Sequence, residues 1–183
     1  SPKAAVGGFA GATVMQAIRL GISRGTFSNE AGLGSAPIAH ATAKTDHPIR
    51  QAFWGMMEVF VDTIIMCTAT ALVIILTGAW MSGETGASLT IKGFSSLMGT
   101  KYGSALVAFC MALTAYDTNI AWCFYGETCA VYLLGHGRIV RYTYRFLWLP
   151  LVLVGATMKL DTVWGIADIL NGLMAVPNLI ALV

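Results

Sequence analysis

Four long apolar stretches run through the chain, from about Gln51 to Trp80, Gly103 to Gly135, Tyr144 to Met158 and Thr162 to Val183. A hydrocarbon layer of ~30 Å is crossed by about 20 helical residues, and each stretch reaches or nearly reaches that length. The pattern predicts four membrane helices over 51–80, 103–135, 144–158 and 162–183. A shorter apolar stretch, Ala10–Ile22, predicts a half-helix. Pro2, the pair Gly7-Gly8 and Gly11 flank its start, so the first 24 residues are expected to form an unwound segment and then this half-helix. Unwound backbone is tolerated at membrane depth only within protein or along a cavity. Residues 25–50 carry no such apolar run and are expected to form one cytoplasmic loop. The loop 81–102 holds the turn signal Gly83-Glu84-Thr85-Gly86 and a partly apolar segment, Ile91–Met98, which predicts an external helical lid or hairpin.

Composition points to the same class. Of 183 residues, 56% are hydrophobic and 11% charged, with a mean hydropathy of +0.70. Soluble domains carry about 25% charged residues, so the chain cannot cover a core in water and needs lipid as its solvent. The expectation is an all-α polytopic membrane protein. A net charge of +2 is too small to suggest a nucleic-acid partner. The position of the charge says more. Arg19, Arg24, Lys44 and Arg50 precede the first span, and Arg138, Arg141 and Arg145 lie in or just after the tight loop that follows Gly135. The two other connections hold Lys92, Lys101 and Lys159, offset by Glu84 and Asp161. This alternation places the first and third loops in the cytoplasm.

Cys67, Cys110, Cys123 and Cys129 sit in apolar stretches at irregular spacing, which suggests neither disulfides nor a zinc site. Gly32-Leu33-Gly34 lacks the strand-to-helix context of a dinucleotide site, and no paired nucleophile and base is evident. An enzyme is therefore not expected. The opening residues are not expected to act as a signal peptide. It begins Ser-Pro-Lys-Ala-Ala and closes on the apolar run Leu179–Val183, a pattern that predicts a piece of a longer protein, lacking an N-terminal half.

Ionisable side chains inside spans are costly and face a bundle interior, a water-filled cavity or a partner. Glu58 and Asp62, four apart, share a helix face. For them and for Glu127, pairing with Arg or Lys on neighbouring helices, Arg19 and Arg24 among them, stands evenly beside a functional role. Asp117 sits near the middle of the second span, in Thr114-Ala115-Tyr116-Asp117-Thr118-Asn119-Ile120-Ala121-Trp122. Its hard oxygen ligands suit an alkali cation, and the mid-span Trp122 can wall a small pocket. A polar helix-packing seam is the alternative reading.

The run Arg24-Gly25-Thr26-Phe27-Ser28-Asn29-Glu30-Ala31-Gly32-Leu33-Gly34-Ser35-Ala36-Pro37 resembles the alanine/glycine:cation symporter family, the sodium:alanine symporters. The match continues through Ala39-His40-Ala41, His47-Pro48, Asp62-Thr63, Tyr125-Gly126-Glu127 and Asn171-Gly172-Leu173-Met174-Ala175. That resemblance implies a LeuT-type inverted-repeat, APC-like fold, of which Ala10–Ile22 would be the inner half of the sixth helix and the long spans helices seven to ten. It also implies a substrate pocket at Gly7, Gly8 and Phe9, with Thr13 below and Thr118 and Trp122 opposite. Sodium would bind at Thr114 (through its carbonyl), Asp117 and Thr118. Many members have a small hydroxyl residue at the position of Asp117, so a proton is an alternative coupling ion there. The function implied is sodium-coupled uptake of a small neutral amino acid, alanine or glycine, across the cytoplasmic (inner) membrane. Its rival is a non-transporting membrane subunit or scaffold, in which Thr118 and Trp122 would contact protein rather than a cavity.

Overall fold

The computed structural model describes residues 2–135 and 137–183, with the side chains of residues 2–10 outside the description. Among the described residues all regular structure is helical. Helix α1 (Pro2–Asn29) is followed by the short α2 (Ala36–His40). A first span then runs from Pro48 to Leu76 as α3 (Pro48–Phe60), a π-helical turn (Val61–Met66) and α4 (Cys67–Leu76). Helix α5 (Gly86–Met98) lies in the connection between the first two spans, and α6 (Thr100–Leu134), α7 (Arg138–Thr157) and α8 (Leu160–Leu182) complete the chain. The Pro48–Leu76, α6, α7 and α8 helices are all long and apolar enough to cross a membrane. The protein is an all-α, multi-pass membrane protein.

Only Leu33, Ala79, Val107 and Val131 are buried hydrophobic residues among those described, while many large apolar side chains on every span are exposed. In water this would be untenable. In lipid it is expected, because packing rather than apolar burial holds helices together there. Close contacts are made through small residues and polar pairs. A Cβ on Gly103 would lie 2.5 Å from the Ser95 nitrogen, so α5 and α6 meet backbone to backbone. Near the other end of α6, Arg145 of α7 donates to both carboxylate oxygens of the buried Glu127.

The first 50 residues depart from expectation. Helix α1 is continuous through Gly7, Gly8 and Phe9, where an unwound stretch was predicted, and it extends past Ile22 to Asn29. Glycine costs only about 1 kcal/mol per residue in a helix relative to alanine, and Ala4, Ala5, Val6 and Ala10 surround this pair. The chain breaks later, at residues 30–35. Glu30 has φ +55°, Gly32 φ +81° and Gly34 φ +82°. The Asn29 side chain accepts from the Ala31 N–H, and Pro37 lies in the first turn of α2. The Ser35 hydroxyl, buried to 1% exposure, donates to the Glu30 carboxylate at 2.7 Å and closes the turn across its ends.

The break is also braced from outside. The Asn178 side-chain amide of α8 donates to the Gly32 carbonyl at 3.0 Å, and a Cβ on Gly34 would lie 2.9 Å from the Asn178 oxygen. Gly34→Ala would therefore meet both a left-handed backbone and this contact. It is expected to cost about 1–2 kcal/mol from the backbone alone, with a lowered unfolding temperature in detergent as the measurement. A variant as stable as the parent would show that the brace does not hold.

Side-chain contacts give the depth of each piece. Ser28 and Asn29 bond to Asp62 and Thr63, at the middle of the Pro48–Leu76 span. Arg24 and Ser23 reach Asp168, toward the Leu160 end of α8, whereas Gly32 meets Asn178 toward the Leu182 end. His40 then meets Gln51 and Glu58, in the half of the first span that begins at Pro48. So residues 24–47 descend through the bundle, and α1 ends at mid-depth instead of starting there. The segment 25–50 is thus not one loop, since α1 continues to Asn29 and α2 covers Ala36–His40. Arg19, ten residues before Asn29, lies about 15 Å along the helix from mid-depth, on the side away from the other loop arginines.

Candidate functional site

A cavity of about 500 Å³ opens where α1 ends. Arg24, Phe27, Ser28 and Asn29 line it from α1, Glu30 from the break, and Ala36, Ala39 and His40 from α2. Glu58 and Asp62 come from the first span, Thr114, Asp117, Thr118, Ala121, Trp122 and Tyr125 from α6, and Trp164 from α8. The volume falls within the range of small-ligand sites.

An aromatic group forms one wall. Phe27 stacks on Trp122 with ring centroids 6.2 Å apart and meets Trp164 edge-on at 5.3 Å. Tyr125 meets Trp122 edge-on at 5.9 Å. The Arg24 guanidinium lies 3.8 Å over the Trp164 ring and forms a two-pronged pair with Asp168, at 2.8 and 3.2 Å. Ser23 donates to the same carboxylate at 2.8 Å. Arg24, which the sequence suggests as a partner for Glu58 or Asp62, is thus neutralised by Asp168.

The rest of the lining is acidic. Glu58 pairs with His40 at 3.4 Å, and Glu30 is held by Ser35. One Asp62 oxygen accepts from Ser28 at 2.9 Å, but its other oxygen is buried without a hydrogen-bond partner. Asp117 makes no hydrogen bond or ion pair among the described residues. Four carboxylates facing one already paired guanidinium make a cavity suited to positive charge. Helix α1 adds to this, because a helix C-terminus presents unpaired carbonyls and the negative end of its dipole. Among the described residues no three His, Cys, Asp or Glu side chains converge as a metal site, so a cation here would need hydroxyl and carbonyl oxygens as well.

The structure brings Thr114, Asp117, Thr118 and Trp122 together on this cavity. Thr118 and Trp122 also line a second, more apolar cavity of about 960 Å³ between α6 and α8. Thr13 is not brought to either cavity; it precedes Phe27 by 14 residues, about 21 Å of helix. Gly7, Gly8 and Phe9 lie further still along α1, and their side chains are outside the described residues. The separation follows from the uninterrupted helix. Sequence reasoning did not place Phe27, Glu30 or Trp164 here. The signal for Glu30 was present in Asn29, Gly32, Gly34 and Pro37, a dense group of turn formers.

Residues 1–183 match the sodium:alanine symporter family. The whole chain is 50% identical to an uncharacterized transporter of Haemophilus influenzae, of which it covers 40%. It is 48% identical, over 94% of its length, to the sodium/alanine symporter AgcS of Methanococcus maripaludis, covering 38% of that protein. A probable sodium/glutamine symporter, GlnT of Bacillus subtilis, is 38% identical over 97% of the chain and is covered to 36%. The chain thus spans about two-fifths of the length of these relatives. No solved structure matches it. With the match running from end to end, the chain belongs to the sodium:alanine symporter family.

Proposed function

We propose that the chain supplies one side of a transport path for sodium-coupled symport of a small neutral amino acid, alanine or glycine, across the cytoplasmic membrane. The observation that carries this is the acidic, aromatic-walled cavity at the mid-depth break between α1 and α2. Broken helices in secondary transporters present such ends to substrate and coupling ion. The end presented here is the C-terminus of α1. It and the carboxylates would meet the substrate ammonium and sodium, rather than the substrate carboxylate that a helix N-terminus would attract. Trp122 and Phe27 would limit the size of the side chain. The relatives' names, which include both an alanine and a glutamine symporter, support sodium coupling more strongly than any one substrate.

The energetics are adequate with one ion. A cation crossing 100 mV gains roughly 2.3 kcal/mol, and a tenfold gradient adds about 1.4 kcal/mol. Together they support accumulation over two to three decades. That Thr118 and Trp122 line cavities supports transport over a scaffold. In proteoliposomes of the whole protein, an inward sodium gradient is expected to raise labelled alanine or glycine uptake by at least about tenfold over choline. Equal uptake with and without sodium would overturn the coupling.

A further inference from the structure

Arg138, Arg141 and Arg145 follow one another at spacings of three and four in α7, so they share one helix face. That face is turned toward α6, because Arg145 is bound to Glu127 there. Glu127 is the one acidic residue among the last eight of α6, and Arg145 consumes its charge. Arg138 and Arg141 are exposed and make no hydrogen bond or ion pair among the described residues. Two positive charges are left over at the junction of these helices.

Helix α7 has 20 residues, about 30 Å of rise, which equals the hydrocarbon thickness and puts its Arg138 end at the boundary with a headgroup layer, within reach of long arginine side chains. Tyr132 on α6 and Tyr142 on α7 are 84% and 68% exposed, at the level where aromatic side chains meet headgroups. Ile139 and Phe146, three and four residues from Tyr142 on α7, are exposed apolar groups that acyl chains can cover. Guanidinium forks match phosphate oxygens two at a time. A soluble anion would use the arginines and leave these tyrosines and apolar side chains uncovered.

We propose that the α6–α7 junction binds an anionic phospholipid, with Arg138 and Arg141 on its phosphate and Tyr132 and Tyr142 flanking the glycerol region. A basic residue near an anionic lipid surface contributes about a fivefold preference, and two give roughly 25-fold. The test is native mass spectrometry of the purified protein titrated with phosphatidylglycerol and with phosphatidylcholine. Phosphatidylglycerol is expected to bind about 25-fold more tightly, with near parity in R138Q/R141Q and most of the preference kept in R138K/R141K. Parity in the unmodified protein would overturn the proposal, showing these guanidiniums to be satisfied by protein. A preference surviving in R138Q/R141Q would overturn it too, by placing the lipid elsewhere. Displacement by free glycerophosphoglycerol at equal concentration would replace the lipid with a soluble anion. Should R138Q/R141Q not purify as a single species, R141Q alone is expected to lose about fivefold, and no loss would count against the site.

Discussion

Asp62→Asn is expected to raise the sodium concentration for half-maximal uptake by at least about tenfold, or to abolish uptake, while the protein still folds. Asparagine keeps the oxygen that accepts from Ser28, so the join between α1 and the first span survives. What is lost is charge and the buried oxygen that has no partner. A carboxylate at mid-span costs about 2.5–3.5 kcal/mol on insertion scales, and this one is not offset by a basic side chain among the described residues. Asp117→Ser is the companion measurement, since Asp117 shares the cavity and has no basic partner among the described residues. If sodium dependence changes in Asp117→Ser and not in Asp62→Asn, the cation belongs with Thr114 and Thr118 on α6. No change in either variant would remove both carboxylates from the coupling step.

Gly103→Ala is expected to destabilise the protein by about 1–3 kcal/mol or more, read as a lowered unfolding temperature in detergent. The new Cβ would stand 2.5 Å from the Ser95 nitrogen and 2.6 Å from the Phe94 carbonyl carbon and oxygen. All three are backbone atoms, so no side-chain rotation relieves the clash and α5 must move off α6. Gly93→Ala on the other side of α5 is the control. Its Cβ would lie 3.3 Å from a terminal methyl of Val73, which can shift. Equal unfolding temperatures for the two variants would contradict the close approach of α5 and α6.

The spans were legible because lipid imposes long apolar runs. The boundaries moved where polar residues continue a helix: α7 begins at Arg138, not Tyr144, because arginine is a good helix former and its charge can reach the headgroups. A helix in the 81–102 connection was legible from the turn signal before it, and α5 occupies much of that connection. The first segment was misplaced for two physical reasons. Gly7-Gly8 looked like a break, but glycine only permits one and nothing there demands a positive φ. The true break involves Glu30, a non-glycine residue in the left-handed region, held there by Ser35 within the turn; Asn178, 146 residues away from Gly32, braces it from α8. That last contact has no local signature. Arg19 and Arg24 then inflated the basic count of the first loop. With both removed, Lys44 and Arg50 still mark the Pro48 side as basic, so the orientation argument keeps its sign. The α6 cluster was legible because a carboxylate in the middle of an apolar run is conspicuous wherever it occurs.

The π-helical turn at Val61–Met66 has an evolutionary reading. A single residue inserted in an α-helix can be absorbed as such a turn, whose wider winding takes up the extra ~100° locally and leaves the helix beyond it facing nearly as before. Asp62 and Thr63 lie in that turn, where Ser28 and Asn29 attach. Deleting one residue there would restore a regular α-helix and leave the Cys67–Leu76 stripe facing its neighbours nearly as before. Relatives that lack the residue should therefore keep the Val73 and Thr77 surface against Gly93 and differ instead where Ser28 and Asn29 attach. A family alignment gapped at this one position would divide its members by whether that turn, and the attachment made on it, is present.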